Sequence, residues 1–157
     1  MSTQVLSRGV ELDTWIRFIR AHATILKQLN AELVDEHGLT VNDFEVLLHL
    51  SRAPDRSLRR VDLVERVLLT PSGITRLLEG LERAGFVERA ECPTDKRVVY
   101  AKLTRAGLEK LAQARRTHLA GVASLFTKRY SSEELAALST LLGRLPGTGG
   151  EDDSCEE

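Results

Sequence analysis

Apolar positions along this chain recur mostly with the spacing of helices. From about Glu11, Leu12, Ile16, Ile19, Ala23, Leu26 and Leu33 fall along one face, and Trp15, Phe18, Ile25 and Leu29 widen it. A stripe this broad offers more apolar surface than one neighbour can cover, which predicts a helix touching both its own domain and a second chain. Residues 1–10 are polar and unpatterned and read as a flexible arm, and His37-Gly38 ends the helix. Thr40 with Asp43 three positions on makes a capping box for a core helix carrying Phe44, Leu47, Leu48 and Leu50. Residues 51–57 (SRAPDRS) read as a loop. A short helix follows over about 59–67, expected to bury Val61, Leu63, Val64 and Val67. Leu68-Leu69 then turns into the next element.

Residues 70–86, TPSGITRLLEGLERAGF, carry the most informative pattern. Thr70 suits an N-cap and Pro71 the first helical position. Ile74, Leu77, Leu78 and Leu81 form one apolar stripe, and Gly85 with Phe86 suits a left-handed C-cap. The opposite face holds Ser72, Gly73, Thr75, Arg76 and Glu79. A small polar first turn with one Arg suits a helix whose N-terminal end enters a DNA major groove, although an ordinary amphipathic surface helix has the same form. Joined to the short helix before it, this segment predicts a helix-turn-helix.

After Gly85 the period changes. Residues 86–90 and 98–103 are rich in β-branched and aromatic residues, as strands are, and ECPTDKR lies between them. A β-hairpin with a charged tip is a wing, and a wing directly behind such a helix favours DNA binding over a generic helical bundle. Thr104 caps another long helix, about 105–130, with Leu108, Leu111, Ala112, Leu119, Val122, Leu125 and Phe126 on its apolar side. Ser131 and Glu134 form a capping box for a last helix over about 132–145, with Leu135, Leu138, Leu141, Leu142 and Leu145. The expected order is α, α, α, α, β, β, α, α. The expected fold is mainly α with a small β-hairpin wing (α+β): a winged helix-turn-helix at 40–104 and a helical dimerisation platform from 11–36 and 105–145.

Charge changes this picture only when its distribution is considered. The net charge of −1 arises from 22 bases and 23 acids, but five acids lie in the last seven residues, EDDSCEE. The rest therefore carries 22 bases against 18 acids, and residues 52–105 hold 12 Lys/Arg against 8 Asp/Glu. Residues 146–157 read as a disordered acidic tail. The 157 residues suffice for one domain with a real core. No apolar run approaches the roughly 20 residues of a membrane span and no signal peptide is evident, so a cytoplasmic protein without a membrane partner is expected. Cys92 and Cys155 form no metal spacing, and His22, His49 and His118 are scattered, so no metal or cofactor is expected. With no nucleophile–base pairing and no Gly-rich phosphate loop, no enzyme is expected.

The chain resembles the MarR family of bacterial transcription regulators over about residues 11–145. The similarity lies in LTVNDFEVLLHL, TPSGITRLLEGLERAGFVER and, most specifically, DKRVVYAKLTRAG. The family's wing pattern is Asp-x-Arg, then a strand ending Leu-Thr, then a Gly opening the next helix. Here these residues are Asp95, Arg97, Leu103, Thr104 and Gly107. The resemblance implies a winged-helix homodimer that commonly represses genes until a small ligand releases it. It places Ser72, Gly73, Thr75 and Arg76 toward the groove, Arg97 in the minor groove and Asp95 beside it as orienting acid. Pro71 and Gly73 leave few side chains in the first turn to read bases, so no operator sequence follows.

Each candidate has a plainer alternative. Arg76 would bind a guanine edge or a phosphate. Arg97 suits a narrow, negative minor groove, or is a surface Arg paired with Asp95. Lys96, Arg59 and Arg60 are phosphate contacts or solvated charges. Trp15, Phe18 and His22, at i, i+3 and i+7, suit a pocket for an aromatic acid with Arg76 or Arg89 as charge partner. They equally suit the core of a dimer interface beside Leu12, Ile16, Leu125, Leu138 and Leu142. The expected partners are double-stranded DNA with a palindromic operator, a second copy and a small-molecule effector. The alternatives are a winged-helix protein-interaction module without DNA, and a thiol-based redox regulator using Cys92. Some regulators of this kind sense peroxide through a cysteine near the start of the first long helix. None occurs there, and Cys92 has no obvious neighbouring base.

Overall fold

Helix α1 (Ser2–His37) runs straight through the segment read as an arm, so residues 2–10 are helical. No proline interrupts them, and Gly9 costs a helix interior only about 1 kcal/mol, so the backbone ladder continues. The computed structural model describes residues 2–67 and 69–148, the first seven of these by backbone alone. The acidic end of the tail therefore lies outside the described residues, as does Leu68. The chain divides into two units, Met1–Gly121 and Val122–Glu157.

In the first unit α1 turns off through Gly38, at φ +67°. Helix α2 (Val41–Arg52) starts on the expected capping box: Asp43 N–H donates to Thr40 Oγ1 at 3.1 Å, and Thr40 N–H to Asp43 Oδ2 at 2.8 Å. Phe44, Val46, Leu47 and Leu50 are buried. The expected loop at 51–57 is more ordered than its composition suggests. It contains the end of α2, a 3-10 turn (Pro54–Arg56) and a short strand, β1 (Ser57–Arg59). Three residues with one buried side chain, Leu58, carry no periodic signal. This strand forms because a distant partner supplies its ladder.

Helix α3 (Arg60–Val67) buries Leu63 and Val67 but not Val61, which is 62% exposed. Val61 lies roughly 200° around the helix from Leu63, away from the core. Helix α4 (Pro71–Arg83) carries the inward stripe Ile74, Leu78 and Leu81, with Leu77 half-buried beside it. Strands β2 (Val87–Glu91) and β3 (Val99–Leu103) form the hairpin, each starting one residue later than expected. The sheet has three antiparallel strands in the order β1-β3-β2, so β3 is central. Leu58 and Arg89 both stand opposite Ala101, and Val87 stands opposite Leu103. Residues of α1 to α4, the sheet and α5 (Arg105–Leu125) share one core, with Leu33, Leu47, Leu50, Leu63 and Leu78 at its centre.

Helix α5 stops before the expected residue 130, because Phe126 leaves helical geometry at φ −131°, ψ −71° and a 3-10 turn follows (Thr127–Arg129). In the second unit α6 (Ser132–Leu142) begins on the expected capping box of Ser131 with Glu134 and ends short of residue 145, at Gly143. Leu141 and Leu145 are exposed, and Leu138 and Leu142 half-buried.

Candidate nucleic-acid interface

The sequence around α4 fixes both of its ends locally. Gly73 N–H donates to Thr70 Oγ1 at 3.1 Å. At the other end Gly85, at φ +79°, donates to Glu82 O and Phe86 N–H donates to Leu81 O, both at 3.0 Å. That pair of bonds is the Schellman arrangement, which needs a left-handed residue and so favours glycine. Between these caps the polar face is mostly exposed. Arg76 is exposed and makes no hydrogen bond or ion pair among the described residues. Ser72 is exposed, with its hydroxyl 3.3 Å from that of Thr70.

The other two expected groove residues are more committed. Thr75 is half-buried and donates its hydroxyl to Pro71 O at 3.0 Å, which leaves it only as an acceptor. Gly73 is half-buried against its own cap, where an added Cβ would stand 3.1 Å from Thr70 Oγ1. It serves the start of the helix rather than offering a side chain to a base.

The hairpin tip is arranged around Asp95. Its Oδ1 accepts from Arg97 N–H at 3.0 Å and from Arg97 Nε at 3.4 Å. The Arg97 side chain is nonetheless 92% exposed, so the pairing orients it without covering it. Lys96 is exposed beside it. Cys92, half-buried, lies 3.2 Å from the Thr94 hydroxyl. Hydrogen bonds from Thr94 and then from the Thr94 and Asp95 backbone hold this thiol below its ordinary range, while burial and the Asp95 charge oppose them. Cys155 lies outside the described residues.

Two arginines near β1 have acid partners. Arg59 grips Asp62 with Nε and Nη2, both at 2.9 Å, which raises the guanidinium and lowers the carboxyl from their ordinary values. Only its remaining edge is open to a phosphate. Arg60, expected at a phosphate or in solvent, is mostly covered. It turns inward toward Glu82 on α4.

Behind the interface, Thr104 links α4 to α5. Its hydroxyl donates to Gly85 O at 2.6 Å and accepts from Gly107 N–H at 3.0 Å. A Cβ at Gly107 would lie 2.1 Å from Phe86 O, so only glycine fits there. These roles join residues about 20 positions apart, and only the recurring Leu-Thr…Gly motif signalled them.

On α1 the structure brings Trp15, Phe18 and His22 together, with ring centroids 6.3 and 6.4 Å apart in succession. All three rings are exposed, and Arg89, on the wing strand β2, makes no contact with them. No group of three or more His, Cys, Asp or Glu able to hold a metal occurs among the described residues. No helix among them is long and apolar enough to cross a membrane.

Fold and site together define a winged helix-turn-helix protein of the DNA-binding kind. A family model described as the MarR family matches residues 37–98. The HTH-type transcriptional repressor YetL of Bacillus subtilis is 35% identical over 108 residues, covering 69% of this chain and 64% of that relative. The chain thus spans less than two thirds of YetL's length. The HTH-type transcriptional regulator YkoM of the same organism is 31% identical over 120 residues, covering 74% of this chain and 77% of YkoM. Among solved structures, Sco3205 is a MarR family transcriptional regulator from Streptomyces coelicolor, solved in complex with DNA. It superposes with a TM-score of 0.80 at 28% identity, over 85% of this chain and 84% of that one. The chain belongs to the MarR family of winged helix-turn-helix transcription regulators. The relatives are regulators and not enzymes.

Proposed function

We propose that this chain is a cytoplasmic, homodimeric and sequence-specific DNA-binding repressor that a small ligand releases. The observation that carries the proposal is the exposed pair of arginines: Arg76 on the first turns of α4 and Arg97 at the wing tip, the latter oriented by Asp95. Arg76 would read a base edge, and Arg97 the minor groove. Ser72, Lys96 and the open edge of Arg59 would bind phosphates, and Thr75 and Gly73 would shape the first turn. YetL, named a repressor, and Sco3205, solved with DNA, support the reading.

The proposed dimer rests on α1. Eight of its large apolar side chains, Leu12, Trp15 and Ile16 among them, are exposed in the single chain. Isolated exposed apolar residues are ordinary, but Leu12, Trp15, Ile16, Ile19 and Leu26 fall on one face of the helix, and a shared apolar face marks an interaction surface. A second copy would cover it, together with the apolar residues of α5 and α6 such as Leu125, Leu138 and Leu142. A two-fold dimer would place two recognition helices on a palindromic operator, about one DNA turn apart. A small aromatic carboxylate lodged against Trp15, Phe18 and His22 would release DNA only through a differential affinity for the bound and free spacings. A difference of about 1–3 kcal/mol corresponds to roughly 5- to 150-fold.

The test is a gel shift with the DNA flanking the protein's own gene, repeated across a salt series. Selective retardation of one fragment that weakens steeply with salt is expected. Retardation of no fragment, or of all fragments alike, would favour a protein-interaction module instead. Hydrogen bonds, and no cation among the described residues, lower the Cys92 thiol, so Cys92→Ser is expected to leave DNA binding and its response to peroxide unchanged. Loss of peroxide-dependent release in that variant would make the thiol a sensor.

A further inference from the structure

The two helices of the helix-turn-helix are tied at both ends. One tie is the short connection between Val67 and Pro71. The other joins the first residue of α3, Arg60, to the last turn of α4, with Arg60 Nη2 3.7 Å from Glu82 Oε1. Their side chains are only 23% and 27% exposed. Arg60 Nη2 is shut off from solvent and has no hydrogen-bond partner among the described residues. That nitrogen is turned away from any phosphate. Removing either partner would leave the other charge poorly compensated.

Leu63 and Val67 of α3 share one core with Ile74, Leu78 and Leu81 of α4, which holds the two helices together along their length. A tie at the far end adds a restraint on the angle between them. That angle aims the side chains on the first turns of α4, where Ser72 and Arg76 stand. Hydrogen bonds to base edges weaken steeply with misalignment, whereas Coulomb attraction to phosphates barely depends on angle. We propose that Arg60 and Glu82 are a positioning pair that sets the angle of α4, and hence sequence discrimination, without touching DNA. This rests on the reading of α4 as the DNA-reading helix.

The test separates that role from a phosphate contact and from plain stability. The wild-type chain first selects a preferred duplex from a randomised pool. Arg60→Gln, Glu82→Gln and the double variant are then titrated against that duplex and a scrambled one, across a salt series, with melting temperatures recorded. Each single variant is expected to lose about tenfold or more on the selected duplex. On the scrambled duplex each is expected to stay within about twofold of wild type, with an unchanged salt slope. The double variant is expected to lose no more than the worse single one, because the pair acts as a unit. A slope reduced by about one per chain in Arg60→Gln alone would make Arg60 a phosphate contact and overturn the proposal. Equal losses on both duplexes, or no loss on either, would overturn it as well. If Arg60→Gln does not fold, Arg60→Lys, which keeps the charge but not the guanidinium's planar fork, is compared with Glu82→Gln under the same criteria. A wild-type chain that selects no duplex would instead remove the DNA-reading role of α4, and the pair's role with it, a failure distinct from the others.

Discussion

The Thr104 hydroxyl accepts from one helix start and donates to another helix end, and Gly107 lets the two backbones meet. A methyl at residue 107 would meet a carbonyl oxygen rather than a side chain that can rotate away. Gly107→Ala is therefore expected to cost at least about 1–3 kcal/mol, measured by urea unfolding; a wild-type midpoint would contradict the packing described. The motif made Gly107 legible in the sequence, but its reason was not, because Phe86 O is supplied from far along the chain. Arg60 is a similar case: nothing local distinguishes it from Arg59, yet one turns inward and the other grips Asp62 at the surface. At the DNA, Arg97→Ala is expected to weaken binding to any duplex and lower the salt slope by about one per chain. Arg76→Ala is expected to weaken the selected duplex more than random DNA, by about 1–3 kcal/mol. Equal loss on both would assign Arg76 to a phosphate.

Helix α4 was legible almost to the residue because each of its signals is local: Thr70, Pro71, the Ile74–Leu81 stripe and Gly85 all lie within the helix or beside it. Strand β1 was not, since its ladder comes from β3, more than 40 positions away. The N-terminal extension of α1 was missed for a different reason: residues 2–10 lack an apolar stripe, yet contain nothing that stops a helix. Removing the cap by Thr70→Ala is expected to cost about 0.5–2 kcal/mol in unfolding, and to weaken DNA binding by loosening the first turn. Packing between α2 and α5 carries a pH dependence. The His118 ring lies 4.6 Å from that of Phe44, its Nδ1 is buried without a partner among the described residues, and burial pulls its pKa below the ordinary value. The folded state therefore binds this proton less readily than the unfolded state. Its contribution is intact above the unfolded pKa of about 6.5 and is lost as the pH falls through the folded value. Melting temperature is expected to fall less between roughly pH 7.5 and 5.5 in His118→Leu than in wild type. Parallel curves would show that His118 does not titrate in this way.

At the scale of the whole molecule, α1 is about 54 Å long, nearly twice the width of a small domain, yet among its described side chains the only deeply buried apolar ones are Leu29 and Leu33. The breadth of its stripe announced a surplus in the sequence; periodicity alone could not say which residues the chain keeps for its own core. The surplus motivates the proposed dimer, so sedimentation at micromolar concentration is expected to show twice the chain mass of 17.5 kDa. A clean monomer would leave the exposed face of α1 unexplained. A dimer that grips DNA through two copies of α4 and two wings must read two half-sites at once. The most direct measurement is therefore a binding titration of the wild-type chain against its selected duplex, intact and with one half scrambled. The expected result is two chains per intact duplex and, once one half-site is lost, affinity close to that for random DNA. One chain per duplex, with affinity indifferent to the scrambled half, would contradict the dimeric reader.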